Sequence, residues 1–433
     1  MYKETDHIQE TAVEGRRQSP DPLRIFLAAI PIALLIRVAI IPFLYQDEWM
    51  NPFVLEHWAF GRVARSIVQG HGFGSPFADT GTSALLPPVY TYLLAAVFRV
   101  FGIYTKTSIV AAACLNSLIS AFTCIPVYFI AGKCFGNQVA KWSAWGWAFS
   151  PYGIYFSADW LWSTSLFTLF LTLVFLFALY LEETASLTKW LLFGALSGLT
   201  ALTEPVVMAV LPFLEVWTCY RLFRKKGRWF LPALVALISF ATVLTPWTVR
   251  NYNAFHKFIP IRDGFGLELY LGNSGFTHHW ANRSVHPNHS DAELGEYERS
   301  GEIAYMAHKQ QQATDYIKEH PGWFVWMSMR RALYLWTGYW SFESSYLKEE
   351  PLDPPNVFMG TVTSSLALLG LWRAFQVNRA VAILFAAVLL FFPLTYYISH
   401  PEAYYFRPLD PFILVLGMYA VAGFVRHRGV ARG

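Results

Sequence analysis

The stretch WLWSTSLFTLFLTLVFLFALYL, residues 160–181, contains no charged side chain. A helix of about 20 apolar residues is long enough to cross the hydrocarbon core of a bilayer, so this stretch predicts a transmembrane helix. Apolar stretches of similar character occur on both sides of it, at 24–45, 84–103, 107–132, 138–157, 188–204, 205–221, 229–248, 356–375, 380–399 and 407–425. Together they predict an all-α polytopic membrane protein.

The composition excludes a soluble enzyme and a nucleic-acid-binding protein. Of 433 residues, 55% are hydrophobic and only 14% are charged, whereas soluble domains have about 25% charged residues. The formal net charge is +4, which is too small and too scattered to predict nucleic-acid binding.

The sequence contains no metal motif, because no metal-ligand spacing occurs among Cys114, Cys124, Cys134 and Cys219. The cofactor is therefore left open, a divalent metal included.

The positions of lysine and arginine predict which stretches cross the membrane. Basic residues concentrate in short cytoplasmic loops, and here they fall at 133–141, 189, 221–228, 373–379 and 426–432. If all eleven stretches crossed from a cytoplasmic N-terminus, every one of these segments would face outward. The stretch 84–103 opens with Pro87-Pro88 and contains Arg99, so we assign it as a juxtamembrane helix. The result is about ten transmembrane helices with both termini cytoplasmic; eleven spans with an outward C-terminus is the alternative.

This topology divides the chain into four parts. They are a disordered cytoplasmic tail at 1–23, a transmembrane core at 24–248 that includes the first extracytoplasmic loop at 46–106, a small extracytoplasmic domain at 249–355, and the C-terminal transmembrane helices with a basic cytoplasmic tail at 356–433. The extracytoplasmic domain is predicted to contain a polar helix from Asp291 to His320. The aromatic residues and arginines between Trp323 and Trp340 are typical of a helix that lies in the membrane interface.

Acidic residues at outward helix ends are candidates for chemistry. Asp47 and Glu48 directly follow the first predicted span, and Asp159 stands in the next outward turn. Each of the three also fits a simple polar helix end.

Glu56 occupies a more unusual position. In the predicted helix Leu55–Gln69 it lies on the same stripe as Phe60 and Val63. A carboxylate on an apolar stripe costs free energy unless it is paired or used in chemistry. Glu56 is therefore either a catalytic residue or the structural partner of a nearby arginine.

Two arginines are predicted at the outward membrane surface. Arg250 ends the sequence Thr245-Pro246-Trp247-Thr248-Val249-Arg250, and Arg407 begins the last span in Arg407-Pro408-Leu409-Asp410-Pro411. A guanidinium at headgroup depth can bind a phosphate bidentately, or it can merely anchor its helix. Two of them on one surface favour a site for an anionic lipid headgroup.

Taken in chain order, these segments resemble the GT-C glycosyltransferases, in the branch of the dolichyl-phosphate-mannose protein mannosyltransferases and the bacterial aminoarabinose transferase for lipid A. The resemblance covers nearly the whole chain after the N-terminal tail. It rests on the acidic first loop, Gly61-Arg62-Val63-Ala64-Arg65-Ser66, Gly70-His71-Gly72-Phe73, Pro87-Pro88-Val89-Tyr90, Asp159, Thr245-Pro246-Trp247, Arg250-Asn251-Tyr252, Gly272-Asn273 and Tyr405 to Pro411.

The resemblance implies inverting transfer of a monosaccharide from a polyprenyl-phosphate donor to a lipid, glycan or protein acceptor. The active site would face the extracytoplasmic side of a cell membrane, the bacterial inner membrane. The donor and membrane lipids are the expected partners. Glu56 would be the catalytic base, with Asp47 and Glu48 as alternatives. Asp159 would be a second acid that orients acceptor or sugar, and Arg250 and Arg407 would hold the donor phosphate.

Two positions depart from the family pattern. Relatives usually carry an acid at the position of Ala59, and a basic residue suited to phosphate where this chain has Glu204-Pro205. Because of Glu204, a catalytically inactive relative that only binds polyprenyl lipids remains an alternative. A flippase or transporter of lipid-linked sugars is the other alternative, for which Arg37 inside the first span is the main candidate.

Overall fold

The structure, a computed structural model, describes residues 22–44, 51, 55, 58–77, 79–159, 161–277, 283–340 and 353–430. Helices account for most of these residues. In chain order they are α1 Pro22–Leu44, α2 Ala59–Val68, α3 Pro88–Phe101, α4 Lys106–Phe122, α5 Cys124–Phe135, α6 Asn137–Ala148, α7 Pro151–Ala158, α8 Thr164–Leu181, α9 Leu187–Ala201, α10 Leu211–Arg224, α11 Phe230–Phe255, α12 Phe265–Gly272, α13 Asp291–Ser300, α14 Glu302–Glu319, α15 Pro321–Thr337, α16 Asp353–Val377, α17 Arg379–Phe391, α18 Leu394–Ile398, α19 Ala403–Phe406 and α20 Asp410–Val430, with 3₁₀ turns at Pro205–Ala209, Arg283–Val285 and Arg407–Leu409.

The predicted all-α membrane fold is confirmed. Within the described ranges, seven helical segments are long and apolar enough to cross a membrane: Pro22–Leu44, Lys106–Phe135, Thr164–Leu181, Phe230–Phe255, Pro354–Val377, Arg379–Ile398 and Ala403–Val425. The other predicted spans coincide with shorter or interrupted helices. For example, 138–157 is divided into α6 and α7 by a break at Phe149, followed by Pro151 at the first position of α7. The total of ten spans stays a prediction.

The stretch predicted to be juxtamembrane forms the short helix α3. Pro88 is its first residue, which suits a proline because no intrahelical N–H bond is lost there. The helix has 14 residues and is therefore about 21 Å long, against about 30 Å of hydrocarbon. Its length agrees with a helix that lies beside the membrane core rather than across it.

Small residues allow α9 and α11 to pack closely. A Cβ atom added at Gly194 would overlap the backbone carbonyl of Ala236, and one added at Gly198 would lie 2.8 Å from Cβ of Val243. Glycines four residues apart lie on the same helix face and let two membrane helices approach within backbone contact. The same device joins α16 to α20, where a Cβ at Gly370 would overlap the carbonyl of Leu416.

Arg37 in α1 has a structural explanation. Its side chain is completely buried, and its guanidinium donates to Ser120 Oγ at 3.1 Å and to the carbonyl oxygens of Ala33, Trp147 and Ala148 at 3.0 Å each. Trp147 and Ala148 are the last two residues of α6, where carbonyls lack the i+4 amide partner of a continuing helix. The residue that motivated a transport function therefore holds a helix end.

The segments predicted to face outward share a second, smaller hydrophobic core. Tyr270 of α12 packs there with Tyr305 and Met306 of α14, and Phe77 and Leu85 of the first loop join them. These two parts of the chain therefore form one packed unit, called the outward unit below after its predicted orientation.

The helix predicted from Asp291 to His320 is two helices. Gly301 separates α13 from α14 and has φ of 76°, a backbone conformation that glycine adopts without steric cost. The prediction of one continuous helix was wrong because it ignored this glycine. The following helix, α15, has the character expected at a membrane interface, since Val325, Trp326 and Met329 are exposed while Arg331 is fully buried.

Candidate functional site

A cavity of about 260 Å³ lies where the first loop, the turn before Pro205, α12 and the segment before α19 meet. Its walls combine aromatic rings with charged groups. The aromatic residues are Phe60, Phe77, Trp162, Tyr404 and Tyr405, and the ionisable residues are Glu204, Arg262, Glu268, His286, His289, His400 and Glu402. Apolar walls with a few placed polar groups are typical of a small-molecule site.

An ion-pair network forms one side of the cavity. Arg262 Nη2 donates to Glu268 Oε1 at 2.7 Å, and His400 Nδ1 lies 3.2 Å from Glu268 Oε2. Burial alone would raise the pKa of Glu268, but His400 and Arg262 outweigh it and hold that pKa below its usual range. Burial likewise acts to lower the pKa of Arg262, but Glu268 and Glu204 raise it. Glu268 is therefore ionised and Arg262 positively charged at neutral pH.

Glu204 also lines the cavity. Its Oε1 accepts a hydrogen bond from Ser163 Oγ at 2.5 Å. The residue precedes Pro205 and has extended backbone angles of φ −151° and ψ 115°, the region to which a following proline restricts a residue. A backbone hydrogen bond also holds this turn: the Val89 amide at the start of α3 donates to the Leu202 carbonyl at 3.3 Å.

Arg250 holds the first loop against α11. Its Nη1 donates to the Ser83 carbonyl at 2.6 Å and its Nη2 to the Phe73 carbonyl at 3.0 Å. The guanidinium also lies over the ring of Trp247, 4.8 Å from its centroid. Arg250 does not line the 260 Å³ cavity, and its role as a phosphate ligand stays a prediction.

Two further contacts fix the same loop to the outward unit. The Ala84 amide donates to Glu302 Oε1 at 2.7 Å, and the Asp263 amide donates to the Ala84 carbonyl at 2.9 Å. Burial raises the pKa of Glu302, although its hydrogen bonds from Ser83 and Ala84 act in the opposite direction. The irregular path of the loop is thus specified by polar contacts.

Arg407 lies in a different place. It lines a second cavity of about 240 Å³ together with Tyr152, Trp336, Asn356 and Asp410. Its guanidinium lies 3.9 Å from the centroid of the Tyr152 ring and 3.6 Å from Asp410 Oδ2. The buried Nη1 atom has no hydrogen-bond partner among the residues that the structure describes. The structure does not bring Arg407 and Arg250 into one cavity, and phosphate binding by either stays a prediction.

Asp159 ends α7, where its amide donates to the Tyr155 carbonyl at 2.9 Å. It does not line the 260 Å³ cavity. The turn that follows it reaches the first loop, because Trp58 Nε1 donates to the Leu161 carbonyl at 3.0 Å and the rings of Phe60 and Trp162 meet edge to face at 4.7 Å. The structure therefore brings this turn to the start of α2.

Asp47, Glu48 and Glu56 lie outside the described residues, so their roles stay predictions. Ala59, three residues after Glu56, lines the 260 Å³ cavity. Within the described part of the chain, no group of three or more His, Cys, Asp or Glu side chains is arranged to hold a metal ion.

Sequence reasoning missed Arg262, Glu268 and His400. Glu268 is an isolated acid in the apolar helix FGLELYLG, and His400 directly follows an apolar span. An ionisable residue alone in an apolar run is a usable signal for a buried functional group. The contact of His400 with Glu268 joins residues 132 positions apart and leaves no local pattern.

Comparison with known proteins gives a match over part of the chain. The model of the dolichyl-phosphate-mannose-protein mannosyltransferase family matches residues 86–247. No curated protein sequence matches the chain significantly.

Solved structures with a similar fold include the oligosaccharyltransferase of Archaeoglobus fulgidus tethered with an acceptor peptide containing the NVT sequon. That match has a TM-score of 0.52 and 13% sequence identity, and it covers 94% of this chain and 50% of that chain. ArnT from Cupriavidus metallidurans bound to undecaprenyl phosphate matches with a TM-score of 0.49 and 13% identity over 92% of this chain and 60% of that chain. The chain thus spans about half the length of the archaeal enzyme. At such identity the archaeal match shows the fold alone. The resemblance predicted from the sequence is confirmed: the chain is similar to the GT-C glycosyltransferases, in sequence over residues 86–247 and in the fold of its membrane helices.

Proposed function

We propose that the chain transfers a monosaccharide from a polyprenyl-phosphate donor to a lipid, glycan or protein acceptor, with inversion at the anomeric carbon. The observation that carries this proposal is the cavity in which a guanidinium and carboxylates lie between aromatic side chains, next to the ends of membrane helices. The matched family, described by its dolichyl-phosphate-mannose donor and protein acceptor, supports the same class of reaction.

The polyprenyl phosphate is the leaving group in this reaction. It departs as a stable anion, so it needs a cation to hold its developing charge and no acid to protonate it. Arg262 is the arginine that lines the cavity, and its link to Glu268 fixes its orientation. Arg250, at the loop anchor, and Arg407, in the second cavity, remain the sequence-based alternatives to Arg262 as phosphate ligands.

The acceptor hydroxyl must lose a proton as it attacks the anomeric carbon. A carboxylate that reaches the cavity can accept it. Among the sequence-based candidates, Glu56 lies three residues before the cavity-lining Ala59, with Asp47 and Glu48 as alternatives in the same loop. Asp159, in the turn that meets the start of α2, would orient the acceptor or the sugar.

The site faces the extracytoplasmic side in this proposal, in a cell membrane such as the bacterial inner membrane. The positions of the basic loops support that orientation. The exposed aromatic and apolar side chains of α15 support a seat for the outward unit at the membrane surface.

The proposal is tested by donor consumption and product analysis. Purified protein in lipid nanodiscs is incubated with a panel of polyprenyl-phosphate monosaccharides and with membrane lipids, glycans and proteins as acceptors. We expect release of polyprenyl phosphate and appearance of the sugar, with inverted configuration, in one acceptor fraction. Binding of the donors without turnover would support an inactive relative. Movement of intact donor across proteoliposome membranes would instead support a transporter.

A further inference from the structure

The three carboxylates of the 260 Å³ cavity differ in what they contact. Glu268 has both oxygens occupied, one by Arg262 and one facing His400. Glu402 has interactions of its own. Among the residues that the structure describes, the Glu204 carboxylate forms no ion pair, and its one hydrogen bond, from Ser163 Oγ, falls on Oε1. Its Oε2 is therefore the carboxylate oxygen available to a molecule in the cavity.

The position of Glu204 is fixed on two sides. Ser163, whose side chain is buried, holds the carboxylate. Pro205 restricts the backbone, and the bond between the Val89 amide and the Leu202 carbonyl attaches the turn to α3. A general base needs this combination of fixed direction and a free lone pair beside the reacting atoms.

The environment also suits proton transfer. The carboxylate is partly removed from water inside the cavity, and desolvation makes a carboxylate a stronger proton acceptor. Arg262 and Glu204 line the same cavity, so a phosphate held by Arg262 would share that cavity with the proposed base. Glu268, by contrast, is committed to its ion pairs and is a poor proton acceptor.

Building on the proposed function, we propose that Glu204 is the catalytic residue that takes the proton of the acceptor hydroxyl. The acceptor O–H bond breaks and the proton goes to Glu204 Oε2, while the acceptor oxygen bonds to the anomeric carbon. The bond between that carbon and the donor phosphate oxygen breaks with its electron pair. Polyprenyl phosphate leaves with one more negative charge beside Arg262, and Glu204 then releases its proton to solvent.

The test compares single-turnover transfer, donor affinity and thermal unfolding for four proteins, each with the donor that the wild type consumes. Glu204→Gln keeps the size of the side chain but removes the proton acceptor. Glu319→Gln, at the exposed end of α14 and outside the cavity, is the matched control. Glu56→Gln tests the competing base in the first loop. We expect the rate of Glu204→Gln to fall by about 10² to 10⁴, with donor affinity and unfolding temperature unchanged, and the acidic limb of the wild-type pH–rate profile to disappear from its residual activity. Glu319→Gln should keep the wild-type rate.

Three outcomes would overturn the assignment. Glu204→Gln could turn over at the wild-type rate, which would leave no role for this carboxylate in chemistry. Its rate could fall only in proportion to a loss of donor affinity or of folded protein, which would make Glu204 structural. Loss of activity in Glu56→Gln with Glu204→Gln unaffected would assign the base to the first loop. A wild-type protein that transfers sugar from no donor would instead remove the proposed function, and this inference with it.

Discussion

Replacement of Arg250 by alanine separates two roles for this residue. The sequence predicted a phosphate ligand, while the structure shows a guanidinium that donates to the carbonyls of Ser83 and Phe73. A hydrogen bond to a charged group contributes about 1.5–3 kcal/mol, so two such bonds contribute about 3–6 kcal/mol. Arg250 is only half-buried, so we take the lower end, about 3 kcal/mol. That figure corresponds to roughly a hundredfold rise in the population of the opened loop.

Amide hydrogen exchange measures this opening directly. The Ser83 amide donates to the Phe73 carbonyl and the Ala84 amide to Glu302, so both are protected while the loop is closed. In Arg250→Ala we expect their exchange to accelerate by roughly a hundredfold. Arg99→Ala, at an exposed site of α3, should leave it unchanged. Unchanged exchange combined with weaker donor binding would refute the anchoring argument and return Arg250 to the phosphate site.

Three other predictions concern stability, pH and topology. Glu268→Gln should lower the free energy of unfolding by about 3–5 kcal/mol at neutral pH, because it leaves Arg262 without its partner. Folding lowers the pKa of Glu268 from its ordinary value of 4.5, so the stability advantage of the wild type over Glu268→Gln is present above that pH and should vanish as the pH falls through the lowered pKa. Unfolding measured from roughly pH 3 to pH 8 checks this, and a stability difference that persists in acid would contradict it. Gly194→Ala should destabilise the protein by about 1–3 kcal/mol because its methyl group meets the Ala236 carbonyl, whereas Gly322→Ala, which meets nothing within 4 Å, should not change the unfolding temperature in detergent. A reporter fused after Arg428 should read cytoplasmic, and an outward reading would restore 84–103 as a crossing helix.

The membrane fold was predictable because a transmembrane helix is recognised from the hydropathy of about twenty consecutive residues, without knowledge of its neighbours in the fold. The start of the short helix α3 was also accessible, since Pro87-Pro88 mark it locally. The break at Gly301 was visible in the sequence but was outweighed by the polar helical pattern on both sides. Where a single residue sets a positive φ, local composition is a weak guide.

The ion-pair network was not accessible in the same way. Arg262 and Glu268 are near each other in sequence, but His400 comes from a segment that lies more than 130 positions later. The contacts of Arg250 were equally inaccessible, because a guanidinium near a helix end donates to loop carbonyls as readily as it binds phosphate. Its bonds to the carbonyls of Phe73 and Ser83 depend on where the fold places the first loop.

Glu204 shows how a departure from a family pattern gains a different meaning once its surroundings are known. Compared with the family pattern, Glu204 in place of a basic residue suggests that a phosphate ligand has been lost, and Ala59 in place of an acid suggests that a carboxylate has been lost. Both residues line the same cavity, which also contains Arg262. A carboxylate is therefore still present there, and so is a guanidinium for the phosphate. Because general-base chemistry depends on where the proton acceptor lies relative to the reacting atoms and not on which helix supplies it, the two departures are compatible with an active enzyme.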